Sequence, residues 1–126
     1  MTGQTSIPAP LDASPFRAGN MVVLTLANPR EKFWGALLSL RNEGVMLRGI
    51  ELASFEDLIS LVKEREPFTP GVVFFPMHRV ERMELDLPDG DIPSLAQRFA
   101  AKTGQDPANV LAHDARDTSS SPEQTA

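Results

Sequence analysis

The sequence predicts a mainly β fold with α additions. The expected architecture is a five-stranded, strongly bent antiparallel small barrel, with one helix inserted between the third and fourth strands and another at the C-terminal end. Three observations predict it. Residues 71–86 read Gly-Val-Val-Phe-Phe-Pro-Met-His-Arg-Val-Glu-Arg-Met-Glu-Leu-Asp, an apolar run that meets a sharp corner and continues as an alternating segment. Gly35 and Gly49 interrupt two strand-like runs joined by Asn42-Glu43-Gly44, and bent strands joined by a tight hairpin curl a sheet. Between these regions Phe55, Leu58, Ile59 and Val62 recur at i, i+3, i+4 and i+7, the apolar stripe of a helix packed on one side.

Residues 1–16 hold prolines with Ser, Thr and Gly and no apolar stripe, so they read as a disordered leader. The first strand is 21–27, with Val22, Leu24 and Leu26 on one face. Asn28-Pro29-Arg30-Glu31 supplies a turn. The second strand, 32–41, is apolar on both faces, and its Gly35 permits a bend or a close backbone approach. After the Asn42-Glu43-Gly44 hairpin the third strand runs over 45–52. Ser54 with Asp57 three residues on resembles a capping box that opens the inserted helix. Pro67 and Pro70 stop that helix after a charged exit. The fourth strand is 72–75, and Pro76 ends its ladder because proline donates no hydrogen bond. Val80 is out of phase with Met83, Leu85 and Leu87, which predicts a helical turn or bulge over 77–80 and a fifth strand over 81–87. Pro88-Asp89-Gly90 is a turn. Pro93 and Gly104 frame a helix carrying Leu95, Phe99 and Lys102, and Asp106-Pro107 caps a further turn through Leu111. Residues 113–126 contain Ser-Ser-Ser-Pro and read as a disordered tail, leaving 17–112 as a single domain.

Composition narrows the function classes. Absence of cysteine removes disulfides and thiolate metal sites. No apolar run approaches the roughly 18 residues of a membrane helix, so the expectation is a cytoplasmic protein with no membrane partner. Net charge is −5, yet residues 20–83 are neutral, with eight basic and eight acidic side chains interleaved. A clustered basic patch, the usual footprint of polyanion binding, is not evident. Phosphate loops, nucleophilic triad signatures and two-histidine helices are missing too, so the chain is expected to be no enzyme and to need no cofactor or metal.

Strand, hairpin, strand, insertion, short strand, helical turn and short strand is an order that resembles the Sm-like small β-barrel family over about 21–87. That family includes the bacterial Sm-like RNA chaperone and the ring proteins of the spliceosome. Gly35-Ala36-Leu37 followed by Leu40 is similar to its first motif, and Pro76-Met77-His78-Arg79-Val80 resembles the bacterial corner, with His78 matching the histidine. The resemblance implies a ring in which the fourth strand of one subunit pairs with the fifth of the next. It also implies single-stranded RNA binding at the corner. The RNA positions depart from the pattern: Arg41 replaces an acidic residue, Gly44 and Val45 replace an asparagine or stacking aromatic, and Met77 replaces a cation.

His78 and Arg79 are therefore the candidate RNA-binding residues, although a corner histidine more often bonds a backbone carbonyl. Trp34 reads as core, beside a strand glycine. Arg79 and Arg82, interleaved with Glu81 and Glu84, read with Arg48 as a salt-bridged surface. Asp86, Asp89 and Asp91 lack the ligand spacing of a calcium loop and read as turn chemistry, while His113 reads as solvated. Val72-Val73-Phe74-Phe75 is uncharged and apolar, and such a strand must be covered. With Met83 and Leu85 it forms the candidate oligomer interface. The expected function is a non-enzymatic, self-associating Sm-like binding module. A single-stranded RNA-binding protein and an SH3-like adaptor for a protein partner are the alternatives.

Overall fold

The computed structural model describes residues 14–112. The tail, and the leader up to residue 13, lie outside the described residues. Five antiparallel strands form one sheet: β1 (Met21–Leu26), β2 (Glu31–Leu40), β3 (Gly44–Glu51), β4 (Gly71–Pro76) and β5 (Val80–Leu85). Their order is β4-β3-β2-β1-β5, so β4 and β5 form the two ends and the sheet is not closed. The expected closed barrel is corrected to an open, curled sheet. The curl follows from chain length. Only the 3₁₀ turn Met77–Arg79 joins the two end strands, and four residue steps reach at most about 14 Å. Four strand spacings in a flat sheet would be about 19 Å.

Two glycines permit that curl. Gly35 and Gly49 are direct cross-strand partners. A Cβ on Gly35 would lie 2.5 Å from the Arg48 carbonyl oxygen, and one on Gly49 would lie 2.2 Å from that of Trp34. Side chains at either position would force the hairpin open. A bulge between Leu37 and Ser39 adds local twist. Gly44 is needed for a related reason, since a Cβ there would strike the Phe75 carbonyl and the Phe74 ring. Its role is close approach to β4, beyond hairpin chemistry.

The out-of-phase Val80 also has a structural cause. β5 begins at Val80, which pairs with Leu26, while Arg82 pairs with Thr25. Glu81 is thus the extra residue of a bulge that returns Val80 to the face of Met83 and Leu85. The expected start at 81 is corrected to Val80, and the expected end at 87 to Leu85.

Each face of the sheet carries a core. Val22, Leu24, Leu26, Leu37, Val45, Leu47 and Phe75 fill the concave side, with Phe16 packed against them. Trp34 and Ala36 anchor the other, beneath α1 (Phe55–Lys63), α2 (Leu95–Thr103) and Leu111 of the π-helical segment Ala108–Ala112. The Trp34 ring meets Phe55 edge-on at 5.1 Å and Phe99 at 5.9 Å.

Capping differs between the helices. Ser54 makes no side-chain cap, because it ends the 3₁₀ turn Leu52–Ser54 with φ −95 and ψ 9. An N-cap hydroxyl reaches its target from extended backbone, so the expected box at Ser54 does not form. Ser94 does start from extended backbone and builds a capping box with Gln97, and α2 ends on Gly104 at φ 76. No described helix is long and apolar enough to cross a membrane.

Candidate assembly edges and corner

Hydrogen-bond alternation decides which residues of an end strand face outward. The Met77 N–H donates to the Glu43 carbonyl at 2.8 Å, flanking the Gly44–Pro76 pair. That geometry marks Gly44–Pro76 as a non-bonded pair. Phe75, Val73 and Gly71 therefore bond β3, and the backbone groups of Val72 and Phe74 face the free edge. Side chains alternate likewise. Phe75 is buried and Val73 packs on the concave core. Val72 is 53% exposed and Phe74 50% exposed, on the helix-bearing face.

The same reasoning applies to β5. The Asp86 N–H donates to the Met21 carbonyl at 3.0 Å, beside the Val22–Leu85 pair. Glu84 and Arg82 accordingly bond β1, and the backbone groups of Met83 and Leu85 face outward. Their side chains lean onto the concave core. Arg82 pairs with Glu84, and Arg30 lies 3.7 Å from Glu81. Of the six candidate interface residues, Val72, Phe74, Met83 and Leu85 thus sit at the two free edges. Val73 and Phe75 belong to the chain's own core.

The corner separates its two candidates. Arg79 is 24% exposed and is committed to the chain itself. Its Nε donates to the Ala27 carbonyl at 2.8 Å, and its Nη2 donates to the Pro29 carbonyl and to Glu31 Oε1 at 2.9 and 3.0 Å. It clasps the β1–β2 turn to the corner. His78 is exposed and bonds no described backbone carbonyl, contrary to the bland expectation for it. Arg48 lies on β3, so β2 and β1 stand between it and Arg82.

One residue in the acidic group has a role that spacing did not reveal. Asp86 Oδ1 accepts from the Leu95 N–H at 2.8 Å, and Oδ2 accepts from the Ala96 N–H at 2.8 Å and from Trp34 Nε1 at 3.0 Å. It ties the end of β5 to the start of α2 and satisfies the buried indole. The sequence signal was Asp86 lying before the Ser94-x-x-Gln97 box, but nothing in spacing linked it to Trp34. No group of three or more His, Asp or Glu side chains able to hold a metal ion occurs among the described residues.

Open clefts also lie among the described residues. One of about 450 Å³ is lined by Val62, Arg65, Glu66, Phe68, Gln105 and Val110. Another, of about 420 Å³, includes Arg30, Lys32 and Glu51 on its rim. Neither gathers an acid–base pair with a nucleophile. The chain matches no protein-family model, no curated protein and no solved structure.

Proposed function

We propose that this chain is a non-enzymatic Sm-like module that assembles head to tail with copies of itself, β4 of one copy running antiparallel to β5 of the next. One observation carries the reading: the outward-facing backbone groups of both free edges belong to apolar residues, Val72 and Phe74 on β4 and Met83 and Leu85 on β5. Residues directly opposite in an antiparallel pair project to the same face. Pairing β4 with β5 therefore lays the half-exposed Val72 and Phe74 against Met83 and Leu85 of the next copy, adding to that copy's concave core. Pairing β4 with a second β4 would lay Val72 and Phe74 against Phe74 and Val72 of the other copy on the helix-bearing face, away from either concave core. The head-to-tail arrangement is heterologous, so it closes as a ring or grows as a filament. These end strands are also the pair that the Sm-like family joins between subunits.

Light scattering over the micromolar range tests the reading. The wild type is expected to be oligomeric, and Phe74→Asp to be a folded monomer. A strictly monomeric wild type contradicts it.

A second reading, single-stranded RNA binding at the corner, is favoured by the exposed His78. Arg79, occupied by two carbonyls and Glu31, supports it less. It predicts binding of short single-stranded RNA that weakens steeply with salt and falls in His78→Ala. No binding at low salt dismisses it.

A further inference from the structure

We infer that Met77 and Met83 form a reversible oxidation site, at which a peroxide converts their thioethers to sulfoxides and thereby disables the β5 edge for assembly. The site belongs to the single chain; only its effect on assembly rests on the head-to-tail reading above.

Thioethers are the only sulfur in this chain, which has five methionines and no cysteine. An oxidant that would meet a thiol elsewhere therefore meets methionine here. Met21, Met46, Met77 and Met83 are the described ones, and all four are partly buried, so solvent reaches each side chain. What sets Met77 and Met83 apart is what they touch. Both pack against the concave core, whose buried members are all apolar. Met21 packs on the helix-bearing core instead, and Met46 stands opposite Phe74 on β3. Met77 opens the 3₁₀ turn that alone links β4 to β5, and its N–H donates to the Glu43 carbonyl at 2.8 Å. Met83 stands opposite Leu24 in the β5–β1 ladder, and its outward backbone groups are part of the free edge.

Each oxidation balances with hydrogen peroxide as the only co-reactant. The sulfur attacks one peroxide oxygen, an S–O bond forms, the O–O bond breaks, and the second oxygen leaves as water. Sulfur loses two electrons and the peroxide gains them. A thioether fills gaps as a flexible apolar group, whereas a sulfoxide is polar and chiral. Kept inside the concave core, the new oxygen is a buried acceptor without a donor. Turned into water, it draws its side chain off the core and leaves space behind. Either outcome unseats β5 and the corner, so Met83 and Leu85 no longer present a fixed edge. Assembly and oxidation are reciprocal: a neighbour seated on β5 shields Met83, and a sulfoxide there disfavours seating. A dithiol, acting through methionine sulfoxide reductases, returns two electrons, releases the oxygen as water and restores the thioether.

The test treats the full-length wild type with hydrogen peroxide beside the Met77→Leu/Met83→Leu double variant. Leucine keeps volume and apolar character at both positions, while Met21 and Met46 stay oxidisable. Peptide mass spectrometry locates the sulfoxides, light scattering reads assembly, and urea titration reads stability. Oxidised wild type is expected to carry sulfoxide at Met77 and Met83. The concentration for half assembly should rise about tenfold or more, and the urea midpoint should fall. Methionine sulfoxide reductases with dithiothreitol should restore both properties, and the double variant should change in neither. The repair arm needs no substitution, so it stands even where the variant fails to fold. Assembly that persists at the wild-type concentration with both sulfoxides formed overturns this inference and leaves the head-to-tail reading standing. So does a double variant that responds as strongly as the wild type, or peroxide that leaves both thioethers intact. A wild type that is monomeric before treatment overturns the head-to-tail reading, and the urea midpoint then decides the oxidation site by itself.

Discussion

Asp86 joins three donors from two elements, and removing its carboxylate would strand a buried indole and two N–H groups of the first turn of α2. Hydrogen bonds to a charged acceptor contribute about 1.5–3 kcal/mol each, with incomplete additivity. Asp86→Ala is therefore expected to lower unfolding free energy by about 3 kcal/mol, measured by urea titration, and to shift Trp34 emission to longer wavelength. Little change in either observable contradicts the role given to Asp86. Arg79 makes a comparable prediction through different geometry. Its fork reaches Ala27, Pro29 and Glu31 together, which an ammonium cannot reproduce. Arg79→Lys should thus recover little of the roughly 1–2 kcal/mol lost in Arg79→Ala. At this scale the sequence was least legible. Asp86 read as turn chemistry and Arg79 as a surface charge, because Trp34 lies 52 residues from Asp86 and Ala27 lies 52 residues from Arg79, and no local spacing encodes such a pairing.

Elements were more legible where their signal is periodic. Alternating Val22, Leu24 and Leu26 read directly as a strand face, and all three are fully buried. The glycines at 35 and 49 read as a bend; that they oppose each other, backbone against backbone, needed the register. Replacement of Gly35 or Gly49 by Ala should cost about 1–3 kcal/mol, the range for forcing atoms into filled space. Gly71→Ala has open space and ordinary backbone, so it should stay within about 0.5 kcal/mol of wild type. Equal thermal melts for all three variants would refute the close-approach argument. One element feature departs from its sequence pattern for a definable reason. Ser54 has the composition of a capping box, but the preceding 3₁₀ turn denies it the extended backbone a cap requires. The phase slip at Val80 read as a helical turn or bulge, and the structure has the 3₁₀ turn Met77–Arg79 with a bulge at Glu81; only the strand bounds differ, because the bulge returns Val80 to the ladder.

For the whole molecule, the sequence carried the sheet's strands and its curl, but not whether the sheet closes. Closure depends on whether β4 and β5 bond each other, and apolar content alone does not answer that. The structure leaves both strands as free ends of one sheet, which turns a question about the barrel into one about neighbours. The candidate interface was legible as a stretch of apolar residues. Its division into core-facing Val73 and Phe75 and edge-facing Val72 and Phe74 came only from the hydrogen-bond alternation. On that division rests the proposal that β4 of one copy continues the sheet at β5 of another. The most direct test is sedimentation equilibrium of the wild type and Phe74→Asp side by side at micromolar concentration. A defined multiple of the 13.8 kDa chain mass is expected for the wild type and the single-chain mass for the variant. A wild type that sediments as one chain, or a Phe74→Asp oligomer as stable as the wild type, would contradict it.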